Sequence, residues 1–250
     1  MAQRAIPDEL WRLVLARYPF LSARRADDLA ALRRLTTLFL ADKEFHGAQG
    51  LQITDEIAVA IAVQACLPVL HLGLQWYSNF VGIVVHPDEV VAKRQVMDED
   101  GVVHEYDEPL SGEAMVGGPV MLSWHDVQGA GETAEWGYNV VIHEFAHVLD
   151  MSDGEADGVP PLPGRAARDA WCEVIDAEYA AFCDRVGNGV QTLLDPYGAQ
   201  SVEEFFAVAS EVFFVAAREF RAEHPALYRL FSDFYRQNPA ASTSPAGDTC

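Results

Sequence analysis

The chain has 250 residues, half of them hydrophobic and 22% charged, so it can bury a full core, and disorder is excluded as its overall state. Its 38 acidic residues against 17 basic give a formal charge of -21, which repels a phosphate backbone and argues against nucleic acid as a ligand. The cations are arginines apart from Lys43 and Lys93, so no lysine-rich patch exists for an anionic membrane surface. Four cysteines at 66, 172, 183 and 250 form no CxxC pair, and Asp8, Glu9 and Arg12 precede any apolar run that could act as a secretory signal. The expectation is an acidic cytoplasmic protein with reduced thiols.

Residues 8 to 40 carry apolar positions at helical spacing, among them Trp11, Val14, Leu29, Leu32 and Phe39, and predict two helices around a break at Tyr18-Pro19. Thr54 followed by Asp55 and Glu56 reads as an N-cap with an acidic first turn. The apolar run from Ile57 to Leu74 is nearly long enough to span a membrane, but Gln64, Pro68, His71 and Gly73 interrupt it, which predicts a buried helix bounded by Pro68. Val81–Val85 and Pro119–Trp124 are short, apolar and flanked by Gly or Pro, and predict strands. Between them, residues 97–113 form an acidic loop or hairpin that reads as a solvated face. Gly154–Gly164 is a Gly- and Pro-rich loop. These elements predict an α+β chain, mainly helical with a small sheet, in which 1–53 is an N-terminal helical portion, 54–237 the main domain and 238–250 a disordered tail.

The segment Asn139 to Asp150 contains His143-Glu144-Phe145-Ala146-His147, an HExxH motif on an apolar helix with Asn139 as its N-cap. Residues four apart share a helix face, so both imidazoles can aim at one zinc ion at roughly 2.0–2.1 Å. Glu144 then stands beside the ion, where a carboxylate can take a proton from a water acidified by the metal and deliver it to a leaving amine. The surrounding Val140, Val141, Ile142, Phe145, Ala146, Val148 and Leu149 leave the motif as almost the whole polar side of the helix. Two imidazoles and a carboxylate buried there need a bound ion or one another.

A catalytic zinc takes three protein ligands and keeps one position open. The metzincin pattern would need Gly at 150 and a ligand at 153; here Asp150 and Asp153 stand there, and no methionine follows Met151. On the helix that begins at Ser201, Glu211 lies among Phe205, Phe206, Val212, Phe213 and Phe214, where an ionised carboxylate needs a cation, and it is the natural third ligand. Glu204, two turns earlier on the same face, could also line the site, although Ser201-x-x-Glu204 reads as a capping box. Asp150 shares the face of the histidines and could accept an imidazole N–H. His86, His104, His125 and His224 fit no ligand spacing.

The segments HEFAHVLD at 143–150, FFAVASEVFF at 205–214, LPVLHLGLQWYSNFVGIVVHP at 67–87 and GPVMLSWHDV at 118–127 together resemble the Mlc titration factor A family of zinc peptidases. The likeness runs in order from about residue 30 to 240. It implies a zincin-like domain, distantly similar to the peptidase domain of anthrax lethal factor, with one zinc ion held by His143, His147 and Glu211 and with Glu144 as general base. It also implies aminopeptidase-type hydrolysis of peptides and, as the alternative, binding of a transcriptional repressor of the Mlc kind with zinc mainly structural. In such folds an edge strand near the metal pairs with an extended peptide; GPVMLSW is the candidate strand, and Tyr197 in DPYGAQS is the candidate assisting phenol.

Overall fold

The computed structural model describes residues 5–97, 103–133 and 137–242. Helix α1 (Asp8–Arg17) starts after Pro7 with Asp8 and Glu9 in its first turn and ends on Arg17, an order that complements the helix dipole. The break at Tyr18-Pro19 is followed by a single turn, α2 (Pro19–Ser22), and by α3 (Ala26–Asp42), so the predicted pair becomes three helices. Helix α4 (Asp55–Cys66) has Thr54 as its cap, with Oγ1 accepting from the Ile57 N–H at 3.2 Å, and is buried nearly all round. It stops just before Pro68, as its sequence predicts.

Four strands form the main sheet in the order β1-β2-β6-β5: β1 (Glu44–Gly47), β2 (Gly82–His86), β6 (Val120–Ser123) and β5 (Gly112–Ala114). The first three run parallel and β5 lies antiparallel to β6. The two predicted strands are therefore the central pair. That position corrects the expectation for GPVMLSW: β6 has neighbours on both sides, and the free edge beside the helices belongs to β5. Strands β3 (Val90–Met97) and β4 (Val103–Leu110) pair antiparallel as a separate hairpin, so the acidic stretch is a hairpin, with 98–102 outside the described residues.

After β6 come α5 (Trp124–Thr133), α6 (Val140–Asp150), α7 (Arg165–Gly187), α8 (Val202–Val215), α9 (Ala217–Glu223), α10 (Pro225–Tyr235) and α11 (Pro239–Ser242). The chain is α+β and mainly helical. Helix α11 occupies part of the predicted tail, with Ala240 buried, while 243–250 lie outside the described residues. No helix among the described residues is long and apolar enough to cross a membrane.

Helix α6 sits at the centre, against α4 and α8 and beneath β5 and β6. Its Phe145 ring lies 5.0 Å from Tyr77, 5.8 Å from Phe39 and 5.9 Å from Phe80, which joins the N-terminal helices and the sheet to one core. At the far end of α6, Asp150 is fully buried. Its Oδ2 accepts from the Gly158 N–H at 2.8 Å, which fastens the 154–164 loop to the helix, and its Oδ1 is buried without a hydrogen bond. Burial, with the Asp157 charge nearby, pushes this carboxyl up to about 7 against the pull of the Gly158 N–H.

Phe145→Ala removes the ring that joins these layers and should lower stability by about 3–5 kcal/mol, seen as a lower urea midpoint with an unchanged slope. For Asp150 the folded carboxyl keeps its proton up to about pH 7, whereas the unfolded one loses it near 3.8. Stability is then highest below that lower value and falls as pH rises through the interval, by roughly 1.4 kcal/mol per pH unit. Asp150→Asn should abolish this slope, so that its stability relative to wild type climbs from pH 5 to 7 and levels off above 8. A difference independent of pH would refute the assignment.

Candidate functional site

The turn into α6 fixes the site before any histidine appears. Gly137 adopts φ +83°, and a Cβ there would stand 2.7 Å from Val212 Cγ2, so only glycine brings the chain this close to α8. Asn139 then caps the helix: its Oδ1 accepts from the Ile142 N–H at 2.9 Å, and its Nδ2 donates to Gln64 Oε1 of α4 at 2.7 Å. His143 and His147, one turn apart, bring their Nε2 atoms to 3.2 Å from each other.

Helix α8 presents two glutamates to this pair. Ser201 Oγ caps it by accepting from the Glu204 N–H at 3.4 Å, so one half of the expected capping box forms. The Glu204 carboxylate does not complete the box, because Oε2 lies 3.0 Å from His143 Nε2 and 3.4 Å from His147 Nε2. Glu211, 2% exposed, meets the opposite edge of the same ring: Oε1 is 2.8 Å from His143 Nδ1, and Oε2 accepts from the Asn139 N–H. The two glutamates are seven residues apart, roughly 10 Å along the axis, and the His143 ring lies between them. Here the geometry departs from the expected set. The donors that converge within 4.8 Å of one another are the two histidines and Glu204, the only such trio among the described residues. Glu211 holds the back of one imidazole.

Charge explains why these groups tolerate burial. Burial works against a charged His143, but its bonds to Glu204 and Glu211 outweigh that and push it well above the usual imidazole range. Burial raises Glu144, offset in part by the two imidazoles, and likewise raises Glu211. Glu204 is also partly desolvated, yet the hydrogen bonds from both imidazoles hold it well below the usual carboxylate range. A metal bound here would displace the protons that these groups share. Two facing imidazole nitrogens and a carboxylate oxygen, with a carboxylate on Nδ1 to select the tautomer whose Nε2 carries the lone pair, are a donor set that fits a divalent ion such as zinc.

A cleft of about 300 Å³ opens beside the trio, lined in part by Ser111, Gly112, Tyr138, Glu144, Asp195 and Tyr197. Glu144 is 5% exposed and reaches its wall from α6. Tyr197 stands on the turn Pro196–Ala199, which Asp195 fixes by accepting from the Tyr197 N–H at 2.8 Å. Tyr197 is 37% exposed, and its ring lies 6.0 Å from that of His143. Asp150 does not bond an imidazole; it serves the Gly158 loop instead. Of the remaining histidines, His224 pairs with Glu178 at 2.8 Å and His125 is exposed, and His104 has no described side chain.

Sequence reasoning missed Ser111, Gly112, Tyr138 and Asp195. Tyr138 was findable, since it directly precedes the cap of the motif helix, and Asp195 opens a Pro-Tyr-Gly turn. Burial raises the Tyr138 hydroxyl, opposed by a hydrogen bond with Ser111 at the root of the hairpin. Nothing local marked Ser111 or Gly112.

The sequence model described as glucose-regulated metallo-peptidase M90 matches residues 1–236, which takes in the N-terminal helices that the resemblance had left out. An uncharacterized protein of Synechocystis is 36% identical over 240 residues, covering 95% of this chain and 86% of its own. Proteins named Mlc titration factor A are each 35% identical: that of Salmonella arizonae over 93% of this chain and 92% of its own, and that of Klebsiella pneumoniae over 92% and 87%. With residues 1–236 matched, the chain belongs to the glucose-regulated metallo-peptidase M90 family.

Proposed function

We propose that the chain is a zinc-dependent peptidase in which His143, His147 and Glu204 hold one ion and Glu144 is the general base. The observation that carries this reading is the convergence of three donor atoms within 4.8 Å beside a cleft whose wall includes the Glu144 carboxylate. When bound, zinc supplies Lewis acidity to a water and to a substrate carbonyl. Burial raises the Glu144 carboxyl, which makes it a stronger base than an exposed glutamate: it takes a proton from the attacking water and passes it to the leaving nitrogen. Glu211 does not touch the reacting atoms; it orients His143 through Nδ1. Tyr197, which also lines the cleft, offers a hydroxyl to the oxygen on which charge develops.

Strand β5 supplies a free edge along which an extended peptide adds as a further strand. Glu144, Asp195 and Glu211 line the cleft, and among the described residues no Lys or Arg does, which suits a substrate that brings a cation, such as a free amino end. Aminopeptidase-type hydrolysis in the cytoplasm is the resulting reading. The described cysteines Cys66, Cys172 and Cys183 are free thiols, in keeping with that compartment.

A second reading follows from the name Mlc titration factor A carried by relatives at 35% identity: binding and sequestering a transcriptional repressor. The two separate cleanly. Under the peptidase reading, a zinc chelator abolishes cleavage of aminoacyl and peptide substrates, and Glu144→Gln keeps its zinc while turnover falls by about 10²–10⁴-fold. Full turnover in Glu144→Gln would defeat the mechanism. A wild type that holds zinc, cleaves nothing and captures a repressor equally well as Glu144→Gln would establish the second reading in its place.

A further inference from the structure

Strand β5 is short, yet its pairing fixes which of its groups face the cleft. The Ser123 N–H donates to the Ser111 oxygen at 2.7 Å, and the register pairs Gly112 with Leu122, Glu113 with Met121 and Ala114 with Val120. In an antiparallel ladder, residues that bond to the neighbouring strand alternate with residues whose N–H and C=O point the other way. Since Ser111 is spent on β6, Gly112 turns both backbone groups toward the free edge. Gly112 also lines the cleft together with Glu144.

The same residue lacks a side chain where none fits. A Cβ on Gly112 would lie 2.5 Å from Glu144 Oε1, 2.6 Å from Cγ and 2.7 Å from Cδ. Backbone conformation does not call for glycine here, because Gly112 is absent from the positive-φ residues. Its neighbour Glu144 does. Strand β5 is held by β6, and Val120 and Leu122 of β6 are core residues, so an added methyl would displace the Glu144 carboxylate before it moved the strand.

We propose that Gly112 is a positioning residue: its empty Cβ position seats the Glu144 carboxylate against the strand edge along which the peptide adds. This inference rests on the peptidase reading of Glu144 for its consequence, but not for its geometry.

The test is Gly112→Ala, alone and combined with Glu144→Ala. In the zinc-loaded single variant, metal content stays at the wild-type level, kcat falls about 10²-fold as the base is moved, and KM stays within about threefold because the backbone groups remain. In the metal-free proteins, Gly112→Ala lowers Tm by a few °C when Glu144 is present and by less than about 1 °C when Glu144→Ala has vacated the space. A single variant that fails to fold but is rescued by Glu144→Ala supports the seating in the same way. Unchanged kcat, a loss confined to KM, or equal Tm losses in both backgrounds would overturn the proposal. If the wild type cleaves no peptide, the peptidase reading fails by itself, and the Tm comparison still decides whether Gly112 seats Glu144.

Discussion

Everything at this site depends on one imidazole held from both sides. His143 projects from an apolar helix into an interior where a lone charge is expensive, and α8 answers with a carboxylate at each ring nitrogen, Glu204 at Nε2 and Glu211 at Nδ1. Glu211, 2% exposed, is matched at its depth by the ring and the Asn139 N–H, while Glu204 reaches both imidazoles from the other side. The two-turn spacing on α8 makes the clamp possible, and the close approach of α6 to α8 brings it together.

The rest of the fold preserves that approach. Gly137 admits Val212 of α8 against the turn that starts α6, and the Asn139 N–H bonds the Glu211 carboxylate. Gln64, deep in α4, holds the Asn139 amide in place, so three helices meet at a single cap. Phe145, on the other face of α6, draws Phe39, Tyr77 and Phe80 into the same core, and Asp150 closes the helix onto the Gly158 loop. Above the motif the sheet ends in the free edge of β5, where a missing methyl leaves room for Glu144. Rigid support below and an open strand edge above are what the proposed action on extended chains requires.

Much of this was legible in the chain. The caps at Thr54, Asn139 and Ser201, the all-round apolar α4, the central strands β2 and β6 and the HExxH helix follow from local chemistry, and the structure contains them. The division of labour between Glu204 and Glu211 was not legible, for a definite reason. Both lie on one face of α8, and which ring nitrogen each meets depends on where α8 crosses α6, a tertiary quantity. Glu204 was further disguised by Ser201, whose hydroxyl does accept its N–H while the carboxylate goes elsewhere. Apolar surroundings drew attention to Glu211, and they do mark a carboxylate that needs a partner; that partner is an imidazole N–H and a backbone amide. Strand β5 escaped notice because Gly-Glu-Ala has no strand propensity and forms only through pairing with β6.

The central claim is that Glu204 coordinates the metal and Glu211 supports His143 from behind. Zinc content after exhaustive dialysis of wild type, Glu204→Ala and Glu211→Ala tests it most directly. The account predicts about one zinc per chain in the wild type, retention in Glu211→Ala with affinity weakened about 10–100-fold, and loss of the ion in Glu204→Ala. Zinc kept by Glu204→Ala and lost from Glu211→Ala would contradict it and return the third ligand to Glu211.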